Sequence, residues 1–220
     1  MHQVELFENT DATGNRQFTT DIPQQEQIMI SRIDHVSIAV RNYEKAKDFF
    51  VNILGAVSGI SARDNRLNFF WHVLSLGDLT RIELITPTAE DSFLKNFLKD
   101  KTDGAVHHVT LETPDIRETV KMLDEKRVPY FGFNEEIEMW KEVFIHPKDA
   151  FGVLIQIAEF DPAYYLDDSV KLPPDQKWSV EKTESGCRLY MAHPGGGKAS
   201  FDLNKEDIKG LIDDLETIEV

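Results

Sequence analysis

A single cysteine, Cys187, excludes an intramolecular disulfide and fits a reducing compartment. No apolar run approaches the roughly 18 residues that a bilayer-spanning helix needs. The N-terminus has no basic, apolar signal pattern, so the cytoplasm is the expected location and no membrane partner is expected. Basic residues are scarce: 24 Lys and Arg against 39 Asp and Glu leave a formal charge of −15. Phosphate backbones require basic patches, so this balance argues against a nucleic-acid partner. The run Gly195-Gly196-Gly197 neither opens directly into a helix nor ends in Gly-Lys-Ser/Thr, and it reads as a flexible hairpin turn rather than a phosphate loop.

What the 220 residues do contain is an internal repeat. Shifted back by 73 positions, Val106-His107-His108-Val109-Thr110 falls on Ile33-Asp34-His35-Val36-Ser37, with His108 on His35. The same shift carries Gln156, in Leu154-Ile155-Gln156-Ile157, onto Glu83, in Ile82-Glu83-Leu84. Around these runs the order strand, helix, strand, strand recurs. The first unit has a strand over 33–40, a helix over 43–54 capped by Asn42 and closed by Gly55, and strands over 67–76 and 79–86 around a turn at Gly77-Asp78. The second has a strand over 106–112, a helix over 115–126, and strands over 140–145 and 153–158. Asn42 falls on Asp115 under the same shift, so the helix caps repeat with the strands.

The flanks differ in character. Residues 1–28 form a polar arm with a weak strand signal at Val4-Glu5-Leu6-Phe7. The main domain spans 29–160, with modules of about 31–90 and 104–160 and a connector over 88–103 that carries a short helix. Pro162, Pro173 and Pro174 punctuate a linker over 161–176. An extension over 177–220 then reads as three short strands (178–184, 187–192, 198–203) and a helix from Lys205 with Asn204 as its cap. The fold class is α+β.

His35, Glu83, His108 and Gln156 each interrupt an apolar strand at matched offsets. Buried polar groups need partners. Two imidazoles, a carboxylate and an amide oxygen suit a divalent transition metal such as Co, Ni, Zn, Mn or Fe. Adjacent strand residues point to opposite faces, so of His107 and His108 only one is expected to be a ligand, and the repeat selects His108. Glu112 reads as a rim residue, Glu159 as solvated, and His146 as shaping a turn. His72 is either a satisfied core residue or an acid–base group.

With these residues placed, the sequence resembles the vicinal oxygen chelate superfamily (glyoxalase, bleomycin resistance and dioxygenase proteins) over about 31–160, and within it the methylmalonyl-CoA epimerases. Ile33-Asp34-His35-Val36-Ser37-Ile38, Ile82-Glu83-Leu84-Ile85-Thr86-Pro87, Gly104-Ala105-Val106-His107-His108 and His146-Pro147-Lys148-Asp149-Ala150-Phe151-Gly152 carry the resemblance. It implies paired βαβββ modules that form an open metal-binding cup, with a third strand per module near 56–63 and 128–134. It also implies that His35, Glu83, His108 and Gln156 are the metal ligands. The implied activity is a metal-dependent isomerase or lyase that moves a proton next to a carbonyl, on a small substrate such as an acyl-CoA or a hemithioacetal. Glu83 is then a catalytic carboxylate and His72 the candidate base; homodimers occur in the family. Two alternatives share the fold: a non-enzymatic small-molecule binding protein and an iron-dependent dioxygenase. The sequence departs from the epimerase pattern at two places. The last-strand glutamate is Gln156, and no glutamate stands on Asn68-Phe69-Phe70-Trp71-His72-Val73. An amide cannot act as a base.

Overall fold

The computed structural model describes residues 29–77 and 79–218; the polar arm and its strand signal lie outside them. The first module is β1 (Arg32–Val40), α1 (Tyr43–Lys47) running on as a π-helical segment (Asp48–Ile53), β2 (Val57–Asp64), β3 (Phe69–Ser75) and β4 (Arg81–Pro87). A short helix, α2 (Phe93–Leu98), leads to the second module: β5 (Gly104–Glu112), α3 (Ile116–Glu125), β6 (Phe131–Asn134), β7 (Lys141–Ile145) and β8 (Ile155–Glu159). The caps are those the repeat predicts. Asn42 accepts from the Lys45 N–H, and Asp115 from those of Arg117 and Glu118. Gly55 leaves the first helix at φ +75°, a conformation favourable to glycine. The strands β2 and β6, which only the resemblance anticipates, are present.

All eight strands form one sheet in the order β2-β3-β4-β1-β5-β8-β7-β6. The antiparallel pair of β1 and β5 is the seam between the modules, and each runs parallel to the last strand of its own module. A pseudo-twofold axis therefore passes between β1 and β5 and exchanges β4 with β8 and β3 with β7. The sheet curls into an open cup. On its convex side, Leu74, Leu84 and Ala56 pack under the first helix, and Val143 and Ile157 pack with Ile116 and Leu123 of α3. The opposite parity on the same strands brings His35, Glu83, His108 and Gln156 to the concave side.

Two β-bulges break the alternation on the seam strands, one between Ile33 and His35 and one opposite Ser37 and Ile38, at His107. The expectation that His107 and His108 point to opposite faces therefore fails: their Nδ1 atoms are 2.8 Å apart. Glu159 is not simply solvated. It accepts from the backbone N–H of Ile116 and from Lys141, tying the start of α3 to β8.

Beyond β8, two 3-10 turns (Pro162–Tyr165 and Asp168–Val170) lead to β9 (Trp178–Lys182), β10 (Gly186–Ala192), β11 (Lys198–Asn204) and α4 (Lys205–Glu216). Asn204 and Asp207 form a reciprocal capping box. The glycine-rich turn is not loose. Gly195 and Gly197 are buried, and a Cβ on Gly197 would stand 2.6 Å from Leu79. A Cβ on Gly196 would collide with the backbone of Ala163. Close approach to the first module and to the 3-10 turns, rather than flexibility, is what these glycines provide. No helix among the described residues is long and apolar enough to cross a membrane.

Candidate metal centre and cleft

Strand pairing sets the site out as two rows across the seam. Glu83 lies beside Ser37, which faces His108; His35 faces Thr110, which lies beside Gln156. One ligand atom each from His35, Glu83 and His108 lies within 4.8 Å of the others. Nε2 of His35 is 3.7 Å, and Nε2 of His108 3.6 Å, from Oε2 of Glu83. Gln156 completes the row. Its amide oxygen accepts from the Thr110 hydroxyl at 2.6 Å, and its Nε2 donates to Glu142 Oε2 at 2.6 Å.

Each histidine is oriented from behind by the residue that precedes it, which the bulges make reachable. His35 Nδ1 donates to Asp34 Oδ2 at 2.7 Å, and His108 Nδ1 bonds His107 Nδ1 at 2.8 Å. Both Nε2 atoms then face Glu83, and that of His35 also meets the Thr110 hydroxyl at 2.9 Å. Burial holds His35 and His108 below the ordinary imidazole pKa, and His107 is pushed down to about 4 by burial. All three rings are therefore neutral near pH 7. Burial pushes the Glu83 carboxyl up, the adjacent His35 pulls it down, and Glu142 adds to the upward push. Two neutral imidazoles, a carboxylate and an amide oxygen form a donor set that fits a divalent first-row ion.

Asp34 is itself held by two guanidinium groups: Arg32 at 2.6 Å and the fully buried Arg81. Arg32 also pairs with Glu112 at 2.8 Å, so two cations balance two anions behind His35. Arg81 donates to the Pro162 carbonyl at 3.2 Å and lies 5.6 Å from the centre of the Phe160 ring.

The candidate ligands stand where two lobes of a cleft meet. One lobe, about 310 Å³, has an aromatic wall of Phe69, Trp71, Trp140, Phe160 and Tyr165 and a charged one that includes Asp34, Arg66 and Arg81. The other, about 650 Å³, runs past His107, His108, Phe131 and Phe133. Glu83, Glu142 and Gln156 line both.

His72 lines neither lobe. It has the opposite parity to Trp71 and Val73, and its ring bonds the Tyr43 hydroxyl through Nδ1 (2.8 Å) and Ser58 Oγ through Nε2 (2.7 Å). With both nitrogens engaged on the helix side of the sheet, it does not reach the cleft as an acid–base group. Glu112 serves the Asp34 network, and His146 accepts from the Lys148 N–H to cap its turn. Sequence reasoning missed Asp34, Thr110, Glu142 and Tyr165. Thr110 shares the parity of His108 and was legible; the other three depend on a bulge, on strand order and on the course of the chain after β8.

Residues 34–143 match the Glyoxalase/Bleomycin resistance protein/Dioxygenase superfamily, and the chain belongs to it, as its vicinal oxygen chelate fold and its two-histidine centre already indicate. Within that class it is similar to several methylmalonyl-CoA epimerases. It is 31% identical over 160 residues to the mitochondrial methylmalonyl-CoA epimerase of Dictyostelium discoideum, covering 68% of this chain and 95% of that protein. The mitochondrial methylmalonyl-CoA epimerase of Homo sapiens is 32% identical over 136 residues, 59% of this chain and 74% of that one. The crystal structure of methylmalonyl-CoA epimerase from Mycobacterium tuberculosis superposes with a TM-score of 0.55 at 24% identity, covering 60% of this chain and 89% of that one, and shares the fold. The chain is an epimerase-like enzyme of the superfamily.

Proposed function

We propose that the enzyme epimerises a 2-substituted malonyl-CoA thioester by moving its α-proton between two carboxylates, Glu83 and Glu142. The observation that carries this reading is where the carboxylates stand. The epimerase pattern places one on the last strand and one on the strand of Asn68-Phe69-Phe70-Trp71, and this chain has neither. It has Glu83 on β4, the pseudo-twofold mate of β8, and Glu142 on β7, the mate of β3. Under the 73-residue shift, Glu83 exchanges with Gln156 and Glu142 falls on Phe69. Both carboxylates have changed modules together, so the cleft keeps a pair of them.

His35, Glu83 and His108, with the amide oxygen of Gln156, would hold a divalent metal ion. Bound there, the ion supplies Lewis-acid polarisation of a substrate oxygen, which acidifies the neighbouring C–H. The chain's own groups do the rest. Burial raises the proton affinity of Glu83, which suits a carboxyl that must both take and return a proton. Glu142, held by Trp140 Nε1 at 2.8 Å and Gln156 Nε2 at 2.6 Å, presents its carboxylate from the other module. One carboxylate removes the proton from one face, and the other delivers a proton to the opposite face. The aromatic lobe excludes water from the carbanion.

The test is deuterium uptake from D2O at the α-carbon of methylmalonyl-CoA, with metal content measured on the same samples. Glu142→Gln is expected to retain metal and lose about 100-fold or more of the exchange rate on the epimer whose proton faces Glu142; Glu83→Ala and His108→Ala are expected to lose the metal. Metal-loaded wild type that leaves the α-proton in place would refute the reading.

A further inference from the structure

The segment that follows β8 lies outside the residues matched by the superfamily, yet it forms part of the cleft wall. Tyr165 lines the aromatic side of the smaller lobe. Its ring centre is 5.4 Å from that of Trp140, 5.5 Å from that of Phe160 and 6.5 Å from that of Trp71, so it spans from the first module to the second. Its hydroxyl donates to the Met139 carbonyl at 3.3 Å. The backbone behind it is fixed from two sides. The Tyr165 carbonyl would be 2.6 Å from a Cβ on Gly59 of β2, an approach only glycine permits. Ala163, two residues earlier, is pressed equally closely by Gly196 of the C-terminal hairpin.

We infer that Tyr165, held by the C-terminal extension, is the end wall that sets the size of the acyl substituent the enzyme accepts. The inference rests on the thioester reading above and deepens it. A 2-substituted malonyl-CoA has one long, polar arm and one short, apolar branch, with the reacting carbon between them. The metal-ligand cluster stands at the junction of the lobes. The larger lobe, bordered by the exposed Phe131 and Phe133, has room for the thioester arm. The smaller lobe receives the branch on its aromatic side, where Tyr165 stands.

The experiment compares kcat/KM for α-proton exchange on methyl-, ethyl- and butylmalonyl-CoA in the full-length, metal-loaded enzyme. A methylene admitted to or refused by an apolar pocket changes kcat/KM by about 10- to 200-fold. Wild type is expected to favour methyl over butyl by at least about tenfold, Tyr165→Ala to raise the butyl-to-methyl ratio by about tenfold or more, and Tyr165→Trp to lower the ethyl-to-methyl ratio by a similar factor. A purely structural role for Tyr165 would depress all three substrates together and leave the ratios unmoved. If Tyr165→Ala melts below the assay temperature, the Tyr165→Trp ratio decides alone. Activity with unchanged ratios overturns the wall and leaves the thioester reading standing. Wild-type inactivity on all three thioesters overturns that reading, and the wall with it.

Discussion

Asp34 and His107 occupy equivalent places in the repeat and do related work with different chemistry. Each bonds the Nδ1 of the ligand histidine that follows it, one with a charged carboxylate and the other with a neutral ring. The carboxylate makes His35 the more basic ring of the two. His72 shows the opposite outcome for a buried imidazole, since its partners Tyr43 and Ser58 fasten the first helix and β2 to β3. Substituting it should cost stability rather than chemistry. His72→Asn is expected to lose about 1–3 kcal/mol in urea denaturation while the folded, metal-loaded variant exchanges the α-proton at the wild-type rate. Burial, followed by the charge of Lys47, holds the folded pKa of His72 below its ordinary 6.5. Below about pH 6.5 the unfolded chain therefore binds a proton that the folded chain does not. The stabilisation is fully present above that pH and is lost as pH falls toward the depressed value. Comparing denaturation near pH 7.5 and near pH 5.5 should show a smaller acid loss in His72→Asn than in wild type.

The elements are joined at the β1–β5 seam, and the site depends on its register. The seam sets His35 opposite Thr110 and His108 opposite Ser37, and its two bulges turn Asp34 and His107 toward the ligands. Gly104 starts β5 where the backbones come closest: a Cβ there would collide with the Ala39 carbonyl and lie 3.3 Å from a Val40 side-chain carbon. Gly104→Ala is expected to lower stability by about 1–3 kcal/mol, the usual cost of overpacking, with thermal unfolding as the check. An unchanged melting temperature would show that the end of the seam is looser than its geometry indicates. The short helix α2 buries Leu94 and Leu98, while Phe93 and Phe97 turn toward His107, so a connector helps to desolvate the centre.

At the scale of the molecule, a bound metal would join the two halves, because His35 and Glu83 come from one module and His108 and Gln156 from the other. A ligand that binds only the folded state stabilises it by about 2.7 kcal/mol at 100 times its Kd, or roughly 5–10 °C for a chain of this size. Chelator-treated protein titrated with Co or Zn should show that rise in melting temperature, and His108→Ala should not. The C-terminal extension adds a second coupling between distant parts, since its glycine turn presses on the segment that carries Tyr165.

The sequence alone determined the repeat, the helix caps and the shared face of His35, Glu83, His108 and Gln156, because the 73-residue shift preserves strand parity and parity decides which face a side chain takes. It also determined the elements of the extension: its three strands lie within about a residue of their expected positions, apart from the early end of β9 at Lys182, and Asn204 caps the last helix. Only the tertiary structure decided the placement of Asp34, His107, Glu142, His72 and Tyr165. Parity is a local property, whereas a bulge exists only against a partner strand, and the neighbour of β8 is fixed by sheet order. Glu142 and Val143 alternate alike in the sequence; the cup and the helix layer decide that Glu142 meets the ligands and Val143 the core. Tyr165 reaches the cleft because glycines far away in the chain let two backbones come within contact distance of its own segment.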